Sequence, residues 1–474
     1  MNTNNILNNL ILDSDSYKYS HWMQYPENTS MLFSYIEARG STTGANYTVA
    51  FGLQDYIKNC LSTPITREDV QVAKKIIEAH GEPFNEEGWN YIVDNYNGYL
   101  PVEIRAVEEG RVAPISNILV SVKSTDPKCF WLESFLETAI LRAVWYPTTV
   151  ATNSHYCKKV IMDALRKSSD DPDAEIMFKL HDFGARGVSS RESAAIGGMA
   201  HLVNFMGTDT VSGIVRAMQS YDSDVCGFSI PAAEHSTMTS WGKDSEYDAY
   251  LNMVNSYAKP GAIFAVVSDS YDIYNAVKNI WIGGGLLKLA KEKGATVVIR
   301  PDSGDPTKVP VEIIDMIARN YGYTINSKGY KVLPPEVRVI QGDGITPETI
   351  NTILVNLLAS GYSASNIAFG MGGGLLQQVN RDTYKFAMKC SAATVNGDAI
   401  DVYKNPVTDS GKKSKRGLLT LVENLKTKKI STIRQEEFDD NLHRDLMRTV
   451  YFNGPVVENY QTFDEVRKLA NSTI

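Results

Sequence analysis

Between residues 178 and 369 the chain repeats one pattern, and that repetition limits what it can fold into. Short apolar runs alternate with helical stretches: Phe178-Lys179-Leu180, Phe228-Ser229-Ile230, Phe264 to Val267, Val297 to Ile299, Val337 to Ile340 and Ile367 to Phe369. Brief β-branched or aromatic runs read as buried strands. Strands separated by helices call for a parallel sheet with crossover connections, open or closed into a barrel. Polar residues gather just after each strand, where both designs place their sites. Such tips on six successive strands, rather than at one switch point, favour an α/β barrel.

The flanks follow another rule. Residues 1–148 mix β-like runs (Met31 to Ile36, Val102 to Ala106, Ile118 to Val122) with amphipathic helices over about Arg67 to His80 and Phe130 to Val144. After about residue 385 short β-like runs return, as in Leu418 to Leu421 and Thr449 to Phe452. The expected organisation is a barrel over 149–384 and a non-barrel domain assembled from 1–148 and 385–474.

Composition narrows the partners. The 47 basic and 55 acidic residues leave a charge of −8, which disfavours general nucleic-acid affinity. The basic cluster Lys412-Lys413-Ser414-Lys415-Arg416 reads as a solvated loop. Five scattered cysteines without a C-x-x-C pair indicate neither a disulfide framework nor structural zinc, and fit a reducing compartment. The Asn-rich start does not read as a secretory signal, and no apolar run reaches the roughly 18 residues needed to span a bilayer. A cytoplasmic protein without a membrane or nucleic-acid partner is expected.

Three strand tips carry the most chemistry. Val297 to Ile299 ends in Arg300-Pro301-Asp302-Ser303-Gly304, Val337 to Ile340 in Gln341-Gly342-Asp343-Gly344, and Ile367 to Phe369 in Gly370-Met371-Gly372-Gly373-Gly374. Together they offer an arginine, carboxylates and bare backbone amides, which suits a phosphorylated sugar. The Gly372 run follows a strand and opens a helix, so its amides can converge on phosphate. The identical Gly-Gly-Gly-Leu-Leu at 283 follows a helical stretch and reads as a helix end and turn. In His181-Asp182-Phe183-Gly184-Ala185-Arg186-Gly187, Phe183 can stack on a planar ring and Arg186 can reach an anion; a core Phe and a surface Arg is the plainer reading. His235, beside Glu234, is an acid, base or nucleophile candidate or a structural histidine. Ser268 or Asp269, closing another strand, is a ligand or simply a helix N-cap. No P-loop, Rossmann glycine pattern or zinc spacing occurs, so no dedicated protein metal site is expected; magnesium held mainly through substrate phosphates is compatible with this.

These motifs, in this order, resemble the nicotinamide phosphoribosyltransferases over nearly the whole chain, roughly Leu12 to Ala470. Matching stretches include Asp15-Ser16-Tyr17-Lys18, Phe84 to Tyr91, Trp145 to Ser154, His181 to Ser190, Gly207-Thr208-Asp209-Thr210, Pro231 to Thr237, Val266 to Asn275, Ile299 to Gly304, Val339 to Gly344 and Gly372 to Gln377. The resemblance implies a phosphoribosyltransferase-type α/β barrel, a second, largely β domain built from both chain ends, and a homodimer with shared active sites. Phe183 and Tyr17 of the other subunit would sandwich the pyridine, with Asp209 accepting from the carboxamide and Ser268 nearby. Arg186, His235 and Arg300 would face the diphosphate. Asp302, Gly342 and Asp343 would hold the ribose, with Gly372 and Gly373 at the 5′-phosphate. Arg39, Arg381, Lys389 and Lys404 would reach the phosphates from the partner. The implied substrates are nicotinamide and phosphoribosyl pyrophosphate, with Mg2+ on the diphosphate and ATP as coupling substrate phosphorylating His235. Nicotinate phosphoribosyltransferase and a non-catalytic phosphosugar-binding protein are the competing readings. The chain departs from the family pattern in the short loop Ser41 to Asn46, at Met371 and in the Gly283 run.

Overall fold

The computed structural model describes residues 3–404 and 414–474, so Lys412 and Lys413 of the basic cluster lie outside the described residues. The chain divides into two compact units: Met1–Thr152 with Ala217–Ser223 and Asn380–Thr473, and Asn153–Arg216 with Asp224–Val379.

The second unit holds the parallel sheet. Its six strands run in the order Gly207–Thr208, Leu180–Asp182, Ile367–Met371, Val337–Gln341, Thr296–Arg300, Ile263–Val267. A seventh segment closes it. Phe228 pairs with Gly207 on one side, and Ala232 pairs with Ala265 on the other, both parallel. Thr208 N donates to Phe228 O (3.0 Å), and Ala265 N donates to Pro231 O (2.9 Å), so both outer edges are satisfied by one short stretch. The expected barrel is therefore present. Alternate residues of the strands point inward, where Ala265, Val298 and Ile340 pack with Ile230, Ala368 and Phe183. Residues between them, such as Val297, Ile299, Val337 and Val339, are fully buried on the outer face.

Most expected strands lengthen by one or two residues. Phe178-Lys179-Leu180 shifts instead: residues 176–178 form a 3-10 turn and the strand is Leu180–Asp182. The Gly283 run ends the helical segment Ala276–Ile282, and Gly285 takes φ +78°, as a turn requires.

The first unit is largely sheet. Six strands follow the order Asp398–Asp401, Phe386–Val395, Thr29–Ala38, Ile118–Ser124, Val102–Val107, Met447–Phe452. Both ends of the chain thus build one sheet, with C-terminal strands on its flanks. The helix expected to stop near Val144 instead runs Glu137–Ser168, through Pro147. A proline inside a helix frees a carbonyl and crowds the preceding turn. Here Gly52, at φ +106°, accommodates the ring: a Cβ on it would lie 2.2 Å from Pro147 Cγ. The Thr148 hydroxyl also bonds to both the N–H and C=O of Phe51. Of the described residues of the basic cluster, Lys415 departs from the solvated reading, since it pairs with the buried Glu37, while Arg416 is exposed.

Glu133 is fully buried in this unit, and one of its carboxylate oxygens has no hydrogen-bond partner. Burial pushes its carboxyl up to about 8, opposed by Lys18 and reinforced by Glu137. A carboxyl raised in this way keeps its proton in the folded chain while the unfolded chain has lost it. Stability therefore falls as pH climbs from about 4.5 toward about 8. Glu133→Gln, which never charges, should be close to the parent in urea unfolding at pH 5 and more stable than it at pH 8.5. A stability difference independent of pH would show that Glu133 is ionised in the fold.

Candidate functional site

Four side chains meet at the carboxyl ends of neighbouring barrel segments. His235 opens the short helix His235–Thr239, directly after the closing segment. Its Nε2 lies 3.0 Å from Asp269 Oδ1, at the tip of Ile263–Val267. Its Nδ1 faces Asp302 Oδ2 at 3.9 Å, beyond the tip of Thr296–Arg300, and Arg300 Nη2 lies 3.8 Å from the same oxygen. Asp269 is 3% exposed at its side chain and also accepts from the Asp302 N–H (2.9 Å) and the Ser303 hydroxyl. It therefore ties three elements together. His235 itself is 45% exposed.

This arrangement shows which carboxylate each neighbouring group uses. The carboxylate that serves His235 is Asp269 rather than its chain neighbour Glu234, which accepts from Ser236 and caps its own helix. The cap of the helix after Ile263–Val267 is Asp272, whose carboxylate accepts from Tyr274 N and Asn275 N. Asp269 is thus left free for the histidine. Ser268 is fully buried; its hydroxyl donates to Val266 O and accepts from Trp281 Nε1, so its polar capacity is engaged within the protein.

Phe183 lies beside this cluster. Its N–H bonds to Met371 O, and its ring rests on Gly370, where a Cβ would fall 1.9 Å from Phe183 Cε2. A Cβ on Gly342 would sit 3.3 Å from the same ring carbon and 3.7 Å from Asp302 Oδ1, so this glycine links the aromatic to the carboxylate. Asp343 is exposed just beyond. Asp209 N donates to Asp182 O, which sets Asp209 next to Phe183, and the Asp209 carboxylate accepts the Ser229 hydroxyl at 2.6 Å. Asp182 beneath is fully buried, and burial raises its carboxyl to about 6 despite the bond from Gly184 N. Gly372 precedes the short helix Gly373–Leu376, and the turn Ala185–Gly187, which carries the exposed Arg186, passes alongside Gly373.

The remaining candidates lie in the first unit. Tyr17 is 53% exposed, Arg381 is exposed and Lys404 is exposed. Arg39 donates to Lys385 O (3.2 Å). The Lys389 ammonium is buried without a hydrogen-bond partner. Desolvation holds its pKa down, helped by Arg39, Lys404 and Lys415 and opposed by Glu37. A concentration of cations around an unpartnered ammonium suits an anionic ligand.

No group of three or more His, Cys, Asp and Glu side chains among the described residues could hold a metal ion. The donor set fits a magnesium bound chiefly by a diphosphate. Arg300 keeps a buried Nε without a partner, and the Asp302 carboxylate is partly open to solvent.

Comparison with known proteins bears on what this cluster serves. The model of the nicotinate phosphoribosyltransferase family matches residues 178–455, and that of the nicotinamide phosphoribosyltransferase N-terminal domain matches residues 9–104. A nicotinamide phosphoribosyltransferase of Xanthomonas campestris pv. campestris is 52% identical over 98% of this chain and 99% of its own length. The chain belongs to the nicotinamide phosphoribosyltransferase family. A relative of the same name from Acinetobacter baylyi is 31% identical over 96% of this chain and 95% of its own. Among solved structures, the nicotinate-nucleotide pyrophosphorylase of Pyrococcus furiosus aligns with TM-score 0.64 at 14% identity, covering 99% of this chain and 96% of its own. The human nicotinic acid phosphoribosyltransferase aligns with TM-score 0.57 at 16% identity, covering 97% and 93%. At those identities the likeness is one of fold.

Sequence reading missed Asp269 as the histidine's partner, together with Ser229, Ser303 and Gly370. Asp269 was visible as one of two acids after a strand; only the position of Asp272 shows which acid caps the helix. Gly370→Ala would drive the Phe183 ring from its seat. Affinity for a planar pyridine ligand, measured by calorimetry, should fall about tenfold or more, as the loss of a shaped aromatic contact implies. Unchanged affinity would mean that the ring has another seat.

Proposed function

We propose that the protein transfers the phosphoribosyl group of phosphoribosyl pyrophosphate to nicotinamide, yielding nicotinamide mononucleotide and pyrophosphate in NAD salvage. The observation that carries this reading is Asp209, an acceptor next to Phe183. A carboxylate there accepts from a carboxamide N–H and repels the carboxylate of nicotinate. The named relatives and the cationic strand tips support it.

The reaction needs little covalent help. The pyridine nitrogen forms a bond to ribose C1 as the C1–O bond to the diphosphate breaks, with positive charge developing on the sugar. Stacking on Phe183 aligns the nucleophile. Arg186, Arg300 and His235 face the departing diphosphate, and the two preorganised guanidinium groups favour the charge that it gains. Asp302, Gly342 and Asp343 hold the ribose, and the amides at Gly372 and Gly373 hold the 5′-phosphate. Asp302 or Asp343 would offer an oxygen to a magnesium ion carried by the diphosphate, and such an ion would supply positive charge to the leaving group.

His235 is also the proposed phosphoacceptor. With Asp269 accepting from Nε2–H, the lone pair resides on Nδ1, on the side of Asp302. Nδ1 takes the γ-phosphoryl of ATP, and ADP leaves. The assembly proposed is a cytoplasmic homodimer in which Tyr17, Arg39, Arg381, Lys389 and Lys404 act in the other subunit's site. The solvent-facing Tyr17 and the Lys389 cluster support it.

Steady-state assays with phosphoribosyl pyrophosphate and magnesium should show turnover with nicotinamide and little with nicotinate. Asp209→Ser should weaken nicotinamide use and relax the exclusion of nicotinate. An unchanged preference between the two bases would remove Asp209 from its role. With ATP, the wild type should carry an acid-labile phosphate, and His235→Ala should lose both the label and the ATP benefit while retaining slow basal transfer. Label persisting in His235→Ala would place the phosphate elsewhere.

A further inference from the structure

Tyr17 presents an unusual inversion. The aromatic is 53% exposed, whereas its neighbours Lys18 and Tyr19 are each 5% exposed. A tyrosine left outside while a lysine goes inside is the reverse of what burial energetics favour, unless the lysine finds partners and the tyrosine is needed in the open.

Lys18 does find partners. Its ammonium pairs with Glu137 and lies 3.4 Å from the Ser134 hydroxyl. The same hydroxyl shares a hydrogen bond with His21 Nδ1 at 3.1 Å. Both anchored side chains then support the Tyr17 ring. The ammonium lies 5.4 Å from the ring centroid, and the His21 ring meets it edge-on, with centroids 4.8 Å apart and planes at 85°. The backbone is fixed as well: Ser20 Oγ donates to Tyr17 O (2.8 Å), and the Asp15 carboxylate accepts from Thr138 Oγ1 (2.7 Å). Further along, Ser14 Oγ donates to Phe135 O (2.9 Å). Residues 134, 135, 137 and 138 thus grip the segment 14–21 through polar contacts made directly around an exposed ring.

We propose that Lys18 and His21, anchored by Ser134 and Glu137, are positioning residues that hold the Tyr17 ring ready as the second wall of the base site. This rests on the reading that Tyr17 stacks on the pyridine in the other subunit. An exposed tyrosine free to rotate loses rotamer entropy when it is immobilised on a ligand; a ring already held has lost it before the ligand arrives. With Lys18 buried, its effect on the base is expected to pass through Tyr17 alone.

The test is a double-mutant cycle on the full-length enzyme, with nicotinamide and phosphoribosyl pyrophosphate varied separately. Lys18→Met keeps the stem and removes the ammonium. It should raise KM for nicotinamide about three- to tenfold, with kcat and KM for phosphoribosyl pyrophosphate within about twofold of the parent. Tyr17→Ala should raise the same KM at least as much, and Lys18→Met added to Tyr17→Ala should change nothing further. If the two effects multiply, or if both substrates weaken together, Lys18 acts on the fold and the proposal is wrong. If Tyr17→Ala leaves KM for nicotinamide unchanged, the stacking role of Tyr17 is itself wrong, a result distinct from multiplicative effects, and the proposal falls with it. Should Lys18→Met not fold, Glu137→Gln, which leaves a neutral acceptor in place, is expected to give a smaller rise in the same KM that also vanishes in the Tyr17→Ala background.

Discussion

A parallel barrel has no edges only if its last two strands find a common partner, and here that partner is a stretch with little ladder of its own. Phe228 to Ala233 lends a few backbone groups to Gly207–Thr208 on one side and to Ile263–Val267 on the other. Pro231 has no N–H to donate, yet its carbonyl accepts from Ala265, while Ala233 donates to Ala265 O. Everything in the site depends on this closure. It brings the start of the helix at His235 against the tip that carries Asp269, and it sets Ser229 beside Asp209. An open sheet would leave these groups on distant edges.

The electrostatic design follows from where each carboxylate lies. Asp269 is buried and fully engaged by one imidazole, one amide and one hydroxyl, so it serves as a fixed acceptor. Asp302, more open, stands between an imidazole and a guanidinium without a short bond to either. One acid organises the site while the other stays available to it. The Arg300 Nε and the Lys389 ammonium remain buried without hydrogen-bond partners, a cost that an anionic ligand at either place would relieve.

Much of this was legible in the chain. Strand–helix alternation gave the barrel, because apolar runs of three to five residues between helices have few other solutions. The tips at Arg300, Gly342 and Gly372 could be read because their residue types are chemically unusual after a buried strand. Other features were hidden for identifiable reasons. The helix expected to end near Val144 continues, and Gly52 and Thr148 packed around Pro147 explain why. Glu234 is the acid next to His235 in sequence, whereas the one hydrogen-bonded to it comes from a neighbouring strand 34 positions on. Gly370 resembled any strand glycine until the Phe183 ring was found resting on it. Local pattern reveals what a segment is; it is silent about which distant segment a side chain will meet.

The order of strands in the first unit has a consequence for biosynthesis. The three inner strands, Thr29–Ala38, Val102–Val107 and Ile118–Ser124, leave the ribosome early, but their flanking strands Phe386–Val395 and Met447–Phe452 come from the far end of the message. Roughly 260 residues separate Ser124 from Phe386. At translation rates of about 5–20 residues per second, the nascent sheet waits about a quarter of a minute to nearly a minute with both margins unpaired. The barrel, encoded almost entirely in that interval, can complete its own ladder first. During synthesis, then, the half-made sheet rather than the barrel is the part of this chain that most needs shielding from its neighbours.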